Sequence, residues 1–317
     1  MTVDTGFFSG STEPASGARG VILQPQPTNC IELSSGHRIA YQEYGKSAGF
    51  PMFYFHDSGS SRLECTFFHG AAKAFGYRLI AIDRPGIGCS DYYDQASPET
   101  VANDVAELAD WLKIDQFAVL SLGSGGIFAL MLAFHHRRRV TEVLSLGGVP
   151  GSSFRESNPG ASLGRYWQQL TPSVIKFWVR AKHAFNRDNS LQTREHLSQI
   201  LCDADRRALQ ESRTRNILDL DQQEVMRQGA RGLAQDIANC YRKLDFTLDD
   251  LQVPVTIWQG KSDNLSQRTD CEFMLSRIPS ARYFRVPNRG HFFFLGGMDS
   301  VFSRMHGHKP SSVAFAA

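Results

Sequence analysis

Short apolar runs rich in β-favouring residues alternate with stretches of helical periodicity along the first half of the chain. The runs are RIAYQEY, PMFYFH, YRLIAID, FAVLSL and EVLSLGG, between residues 38 and 148. Between the third and fourth, Val101, Val105, Leu108 and Leu112 recur at the spacing of one helix face. Ser97 precedes them as a cap, and Glu99 and Asp104 lie near the start, so a crossover helix is predicted over Pro98 to Leu112. A second apolar helix is predicted from Gly125 to about His136. Strands that read as continuous apolar runs and alternate with helices specify a parallel sheet covered on both faces. The expected fold class is therefore α/β, with a mostly parallel central sheet.

The alternation stops at Pro150. Residues 150–250 read as consecutive helices with charged loops, after which VPVTIWQG and ARYFRVP restore the strand pattern around a predicted helix from Asp270 to Arg277. A helical insertion inside a parallel sheet is the arrangement expected of a lid. Residues 1–28 are rich in Gly, Ser, Thr and Pro and bury too little apolar surface to offset the entropy of ordering, so a flexible arm is expected there. The expected organisation is an arm over 1–28, a core formed by 29–149 and 251–303, a helical lid over 150–250, and a tail over 304–317.

Composition removes several functional classes. Lys plus Arg is 34 and Asp plus Glu is 32, a formal charge of +2, which leaves no electrostatic footprint for nucleic acid or an anionic membrane. The longest apolar run, Ile127 to Phe134, is far short of the roughly 18 residues of a bilayer span. No secretion signal is visible at the start. Cys30, Cys65, Cys89, Cys202, Cys240 and Cys271 are scattered without metal-ligand or disulfide spacing, so no metal is expected and they read as reduced thiols in a cytoplasmic setting. Cys89 has no assigned basic partner and reads as a small packed thiol. The 22 Phe residues suit either a core or an apolar pocket.

The chemistry-bearing segments follow the strands. SLGSGG, Ser121 to Gly126, stands at a strand-to-helix junction. FHDSGSSR lies at 55–62, DRPGIGCSD at 83–91, QGKSD at 259–263 and NRGHF at 288–292. In this order the five segments resemble the α/β-hydrolase superfamily over about residues 30 to 298: its nucleophile elbow, oxyanion loop, glycine turn, acid motif and histidine motif.

The resemblance implies Asp263 as the orienting acid and His291 as the general base. It places the elbow nucleophile at position 123, which is glycine here. Glycine adopts the strained apex without a Cβ penalty but has no hydroxyl to attack a carbonyl. Ser124 would then donate its backbone N–H to an oxyanion hole, and Ser124 as a covalent nucleophile is the less favoured reading. His56 matches the oxyanion loop, but Asp57 replaces the usual glycine. A solvent-directed side chain, a hydrogen bond to loop amides and an added acid/base group all stay open for Asp57, the structural roles weighing more. Arg84, Gly86 and Gly88 read as turn chemistry. Ser58 completes the oxyanion loop, and Phe292 to Phe294, with Trp167 in the lid, are pocket candidates for a small apolar molecule.

The expected function is an enzyme of this fold that acts on a small apolar carbonyl compound through a His291/Asp263 acid–base pair rather than serine acyl transfer, with no cofactor. Family members lacking the serine include such non-hydrolytic catalysts, some of them in natural-product pathways. Hydrolysis by activated water or by Ser124, and ligand binding without turnover, are the alternatives. The sequence does not indicate an oligomeric state.

Overall fold

Eight strands form one sheet among the described residues of a computed structural model, which describes residues 28–148, 201–266 and 268–305 together with Val174. They are β1 (Asn29–Glu32), β2 (Arg38–Gly45), β3 (Phe50–Phe55), β4 (Tyr77–Ile82), β5 (Phe117–Leu122), β6 (Val140–Leu146), β7 (Val255–Gly260) and β8 (Ala281–Val286). Their order is β1-β2-β4-β3-β5-β6-β7-β8, antiparallel at β1/β2 and β2/β4 and parallel elsewhere. Every run of the sequence reading is a strand. The four-residue β1 has only Ile31 buried, too little to leave a periodic signal.

The helices with both ends among the described residues are α1 (His69–Phe75), α2 (Pro98–Trp111), α3 (Gly126–His135), α4 (Asp203–Gln210), α5 (Ser212–Val225), α6 (Ala230–Cys240), α7 (Arg268–Arg277) and α8 (Met298–Phe302). The α2 start is the one predicted: the Ser97 side chain accepts from Thr100 N–H, and the Thr100 side chain accepts from the Ser97 N–H in return. A 3-10 helix, Arg62–Phe68, and α1 between β3 and β4 were not predicted, because RLECTFFHGAAKAF carries apolar residues without a clear helical face. Ser61 caps the first and Gly76, at φ +78°, stops the second.

Two apolar clusters cover the sheet. One joins Phe53, Phe55, Val119 and Ile257 to α2, α3 and α7, and extends to Leu244, Leu248 and Leu251, with Phe246 stacked on Phe134 at 4.0 Å. The other joins Tyr54, Leu120, Leu144 and Trp258 to Phe68, α1 and α8. Phe293 and Phe294 belong to this second core, 1% and 2% exposed, which corrects their reading as pocket residues.

Helices α4 and α5 are mostly polar and α6 is mixed, and together they carry the buried acids Asp205, Asp221, Glu224 and Asp236. The backbone of α6 rests directly on the turn after β4: a Cβ on Gly86, at φ +79°, would lie 2.7 Å from the Gly232 Cα. Among the described residues no helix is long and apolar enough to cross a membrane. Trp167, Phe177, Trp178 and Phe185 of the expected lid lie outside the described residues, as do residues 1–27 of the arm and 306–317 of the tail.

Candidate active site

The chain reverses its direction of travel across the sheet between β3 and β5, since β4 lies on one side of β3 and β5 on the other. In such sheets the loops at the carboxyl ends of the strands on either side of that reversal part and leave a crevice. The β3 loop brings His56, Asp57 and Ser58 to it, and the β5 turn brings Gly123 and Ser124. From further along the same edge, the β7 loop supplies Asp263 and the β8 loop His291.

Gly123 turns the chain at φ +51° with no side chain, and the Asp57 carboxylate fills the space above it. A Cβ built on Gly123 would lie 2.5 Å from Asp57 Cγ and 2.6 Å from Oδ2. Asp57 Oδ1 accepts from Ser58 N–H at 2.7 Å, from Ser124 N–H at 2.8 Å and from Ser124 O–H at 2.7 Å. Ser124 Oγ in turn accepts from Ser58 N–H at 2.8 Å and has the Cys240 thiol as a neighbour. Of the three roles open for Asp57, the hydrogen bond to loop amides is present. Its Oδ2 accepts no hydrogen bond among the described residues, and the Ser58 hydroxyl is buried without a partner there.

His291 is 6% exposed. Its Nδ1 lies 3.1 Å from Asp263 Oδ2. Because a carboxylate only accepts, the proton of that bond is on Nδ1, which leaves Nε2 directed away from Asp263. Asp263 Oδ1 is held by Leu265 N–H and Ser266 N–H, each at 2.9 Å. The histidine loop is fixed from α4, where Asp205 accepts from His291 N–H at 2.8 Å and Phe292 N–H at 3.0 Å. Burial alone would lower the imidazole pKa. The bond to Asp263 and the negative charges of Asp263, Asp57 and Asp205 outweigh it and push the value up to about 9. His291 therefore holds its proton to a higher pH than an ordinary histidine.

Under the Asp57 loop is a buried pair of acids. Glu64 Oε2 accepts from Asp57 N–H at 2.9 Å and from Tyr54 O–H, while its Oε1 contacts Ser60 Oγ at 2.8 Å. Ser60 Oγ also lies 2.6 Å from Asp221 Oδ2, and Asp221 Oδ1 accepts from Ser61 N–H at 2.9 Å. One hydroxyl has one proton to give, so two carboxylates facing it are both bonded only if one carboxyl keeps its own proton. Burial pushes the pKa of both groups up, with their mutual repulsion adding to it at Glu64.

Two arginines complete the support. Arg84 Nε and Nη2 clasp Asp236 at 2.6 and 2.7 Å, and its remaining donors reach the carbonyls of His56 and Asp57. Arg84 is thus a strut of the loop, beyond the turn role read from the sequence. His56, fully buried and held neutral by that burial and by Arg84, bonds the Asp57 carbonyl through Nδ1 at 2.7 Å. Asp83, Cys89 and Glu224 bring ligand-type atoms within 4.8 Å of one another, but Arg62 Nη1 bonds both carboxylates and already supplies the cation.

Of the residues singled out in the sequence, His291, Asp263, Gly123, Ser124, Asp57 and Ser58 converge on the crevice. His56 lies beneath it, Phe292 meets His291 edge-on with ring centroids 5.5 Å apart, and Trp167 lies outside the described residues. Asp205, Glu64, Asp221, Arg84 and Asp236 were missed as parts of the site. An acid on a polar helix such as DADRRALQ carries no mark of burial, which arises only when the helix docks.

The family profile described as alpha/beta hydrolase fold matches residues 49–297. The chain belongs to the alpha/beta hydrolase fold family. Within this enzyme family it is similar to a pimeloyl-[acyl-carrier protein] methyl ester esterase of Aromatoleum aromaticum, 28% identical over 183 residues, 57% of this chain and 69% of the relative. It is also similar to a proline iminopeptidase of Neisseria gonorrhoeae, 26% identical over 131 residues, 40% of this chain and 41% of that protein. The chain thus spans less than half of the length of the peptidase. Among solved structures, a hydrolase from Pseudomonas aeruginosa PA01 matches with a TM-score of 0.67 at 18% identity, covering 87% of this chain and 96% of that one. An enol-lactonase from Burkholderia xenovorans LB400 matches with a TM-score of 0.65 at 18% identity, covering 87% and 97%. At these identities the solved structures establish the shared alpha/beta hydrolase fold.

Proposed function

We propose that this alpha/beta hydrolase fold protein catalyses proton transfer on a small apolar carbonyl compound, in an enolisation, elimination, cyclisation or carbon–carbon cleavage, with His291 and Asp263 as the acid–base pair and without serine acyl transfer. The observation that carries this reading is the Asp57 carboxylate. It stands over Gly123, where an attacking hydroxyl would project, and its Oδ1 takes the Ser58 and Ser124 N–H groups that would otherwise meet an acyl oxyanion. His291 then serves first as the acid. Its Nε2–H, backed by Asp263, hydrogen-bonds the substrate oxygen while a base in the crevice takes the proton of the adjacent carbon, and that base gives the proton back when the product forms.

Ester hydrolysis is the second reading, favoured by the names of the relatives and by the intact His291–Asp263 bond. Ser124 Oγ is bonded to Asp57, so this route needs water activated by His291 or a rearranged Ser124. Two measurements separate the readings. Incubated with β-tetralone in deuterium oxide, the wild type is expected to exchange the carbon-bound protons beside the carbonyl, and His291→Ala to lose that exchange at least about a hundredfold, the scale of general acid–base catalysis. A fluorophosphonate is expected to leave the protein unlabelled. Labelling at Ser124 that disappears in Ser124→Ala would establish the hydrolase instead.

A further inference from the structure

The two oxygens of Asp57 are in unlike situations. Oδ1 is saturated by three donors, two of them backbone N–H groups fixed by the ends of β3 and β5. Oδ2 lies over the bare Cα of Gly123 and accepts nothing among the described residues. The loop is also held from behind: Glu64 takes the Asp57 N–H, and Arg84 takes the Asp57 carbonyl at 3.2 Å. A carboxylate locked through one oxygen, with the other unbonded above Gly123 and its charge felt by the His291 imidazole, is a pre-oriented acceptor for a proton.

We propose that Asp57 is the catalytic base of this site: Oδ2 takes a proton from a substrate carbon while Oδ1 stays in the N–H cradle. This deepens the proton-transfer reading above, on which it rests for the use of the crevice and for His291 as the donor to the sink oxygen, while the base itself is tested apart from His291. It narrows the substrate to compounds with an acidified C–H beside a carbonyl or an equivalent electron sink. In the step, the C–H bond breaks, the proton forms an O–H bond at Oδ2, and the electron pair moves into the sink. The sink oxygen is stabilised by the His291 Nε2–H, because the backbone cradle is already filled. Return of the proton from Oδ2 to carbon closes the cycle without an oxidant or co-reactant.

The test uses nitrobenzisoxazole, whose isoxazole ring opens when a base removes the C–H proton next to its ring nitrogen: the N–O bond breaks and a coloured cyanophenolate forms. The full-length wild type is expected to open it, and Asp57→Asn to lose at least about a hundredfold of that rate with its melting transition preserved, since a positioned base is worth roughly that much or more. In Asp57→Gly the cradle is free, and added acetate is expected to restore ring opening in a saturable manner, a result that loss of structure would not give. A wild type no faster than Asp57→Asn overturns the proposal, as does a folded Asp57→Gly that acetate does not rescue. If ring opening survives in Asp57→Asn while β-tetralone exchange is lost in His291→Ala, the base assignment falls and the reading of His291 stands. Ring opening lost in Asp57→Asn, with no β-tetralone exchange by the wild type, keeps the base and removes the carbonyl substrate.

Discussion

The sheet and the seam above it are held by opposite means. Around the sheet the contacts are apolar, from Phe53 and Val119 on one face to Leu120 and Trp258 on the other. At the carboxyl ends of the strands, α4 to α6 meet the site loops through buried acids. Asp205 holds the His291 loop, Asp221 the Ser60–Ser61 turn, Glu224 Arg62, and Asp236 Arg84. Apolar packing fixes a fold but tolerates volume-conserving changes. Charge pairing taken out of water fixes individual donors and tolerates little, because one partner left alone is costly. The difference teaches that the site loops are positioned by polar groups belonging to helices distant in sequence, not by the sheet alone.

The largest effect is expected where the two regions meet at Gly123. Gly123→Ser alone would press its Cβ against the Asp57 carboxylate and should acquire no fluorophosphonate labelling. Gly123→Ser combined with Asp57→Gly removes that obstacle, empties the cradle and leaves His291 and Asp263 in place. It is expected to become labelled and to hydrolyse p-nitrophenyl acetate, which neither single variant does. Equal labelling of Gly123→Ser and of the double variant would show that the carboxylate is no obstacle.

Next in size is a stability test of the seam against the core. Arg84→Met and Asp236→Leu, measured singly by urea unfolding, should each cost about 3–5 kcal/mol, because each strands a buried charge. Together they should cost less than the sum of the two, since no unpaired charge remains. Leu120→Ala in the sheet should cost about 2–5 kcal/mol from cavity formation, without any such recovery partner. Single variants at Arg84 and Asp236 that cost under about 1 kcal/mol would place the pair with ordinary surface salt bridges.

The contrast also accounts for what could be read in advance. The strands, α2 and α3 were legible because burial of a strand or of a helix face writes a period into the sequence. Gly123, Ser124, Asp263 and His291 were singled out because short motifs at strand-to-loop junctions resemble those of the family, and the turn at Gly123 and the His291–Asp263 bond are where those motifs put them. Asp205 and Asp236 were not, since a carboxylate on a solvated helix and one buried under a loop look alike until the helix docks. Acceptance by Asp57 from loop amides was one of the roles left open, yet its position over Gly123 depends on two loops that the reversal between β3 and β5 brings together.

The smallest expected effect is a pH dependence of stability from Glu64 and Asp221. Their folded pKa values are raised, to about 8 and about 7, above the ordinary carboxylate range. The folded state therefore binds more protons than the unfolded chain, and the pair contributes most at low pH and loses its contribution as pH rises through about 8. Glu64→Gln keeps an amide where the protonated acid stands and should flatten the fall in unfolding free energy between pH 5 and 8 by about 1–3 kcal/mol. An unchanged slope would show that the pair does not hold the extra proton.

The contact between Gly86 and Gly232 gives the seam a joint without cushioning. Two main chains touch with no side chain between them to flex, so any sliding of α6 is handed straight to the turn beneath it. Arg84 sits two residues before that turn and Asp236 one helical turn beyond that contact. Their clasp is thus cut to length by bare backbone, and an enlarged residue at either glycine would lift the strut away from the carbonyls that it steadies.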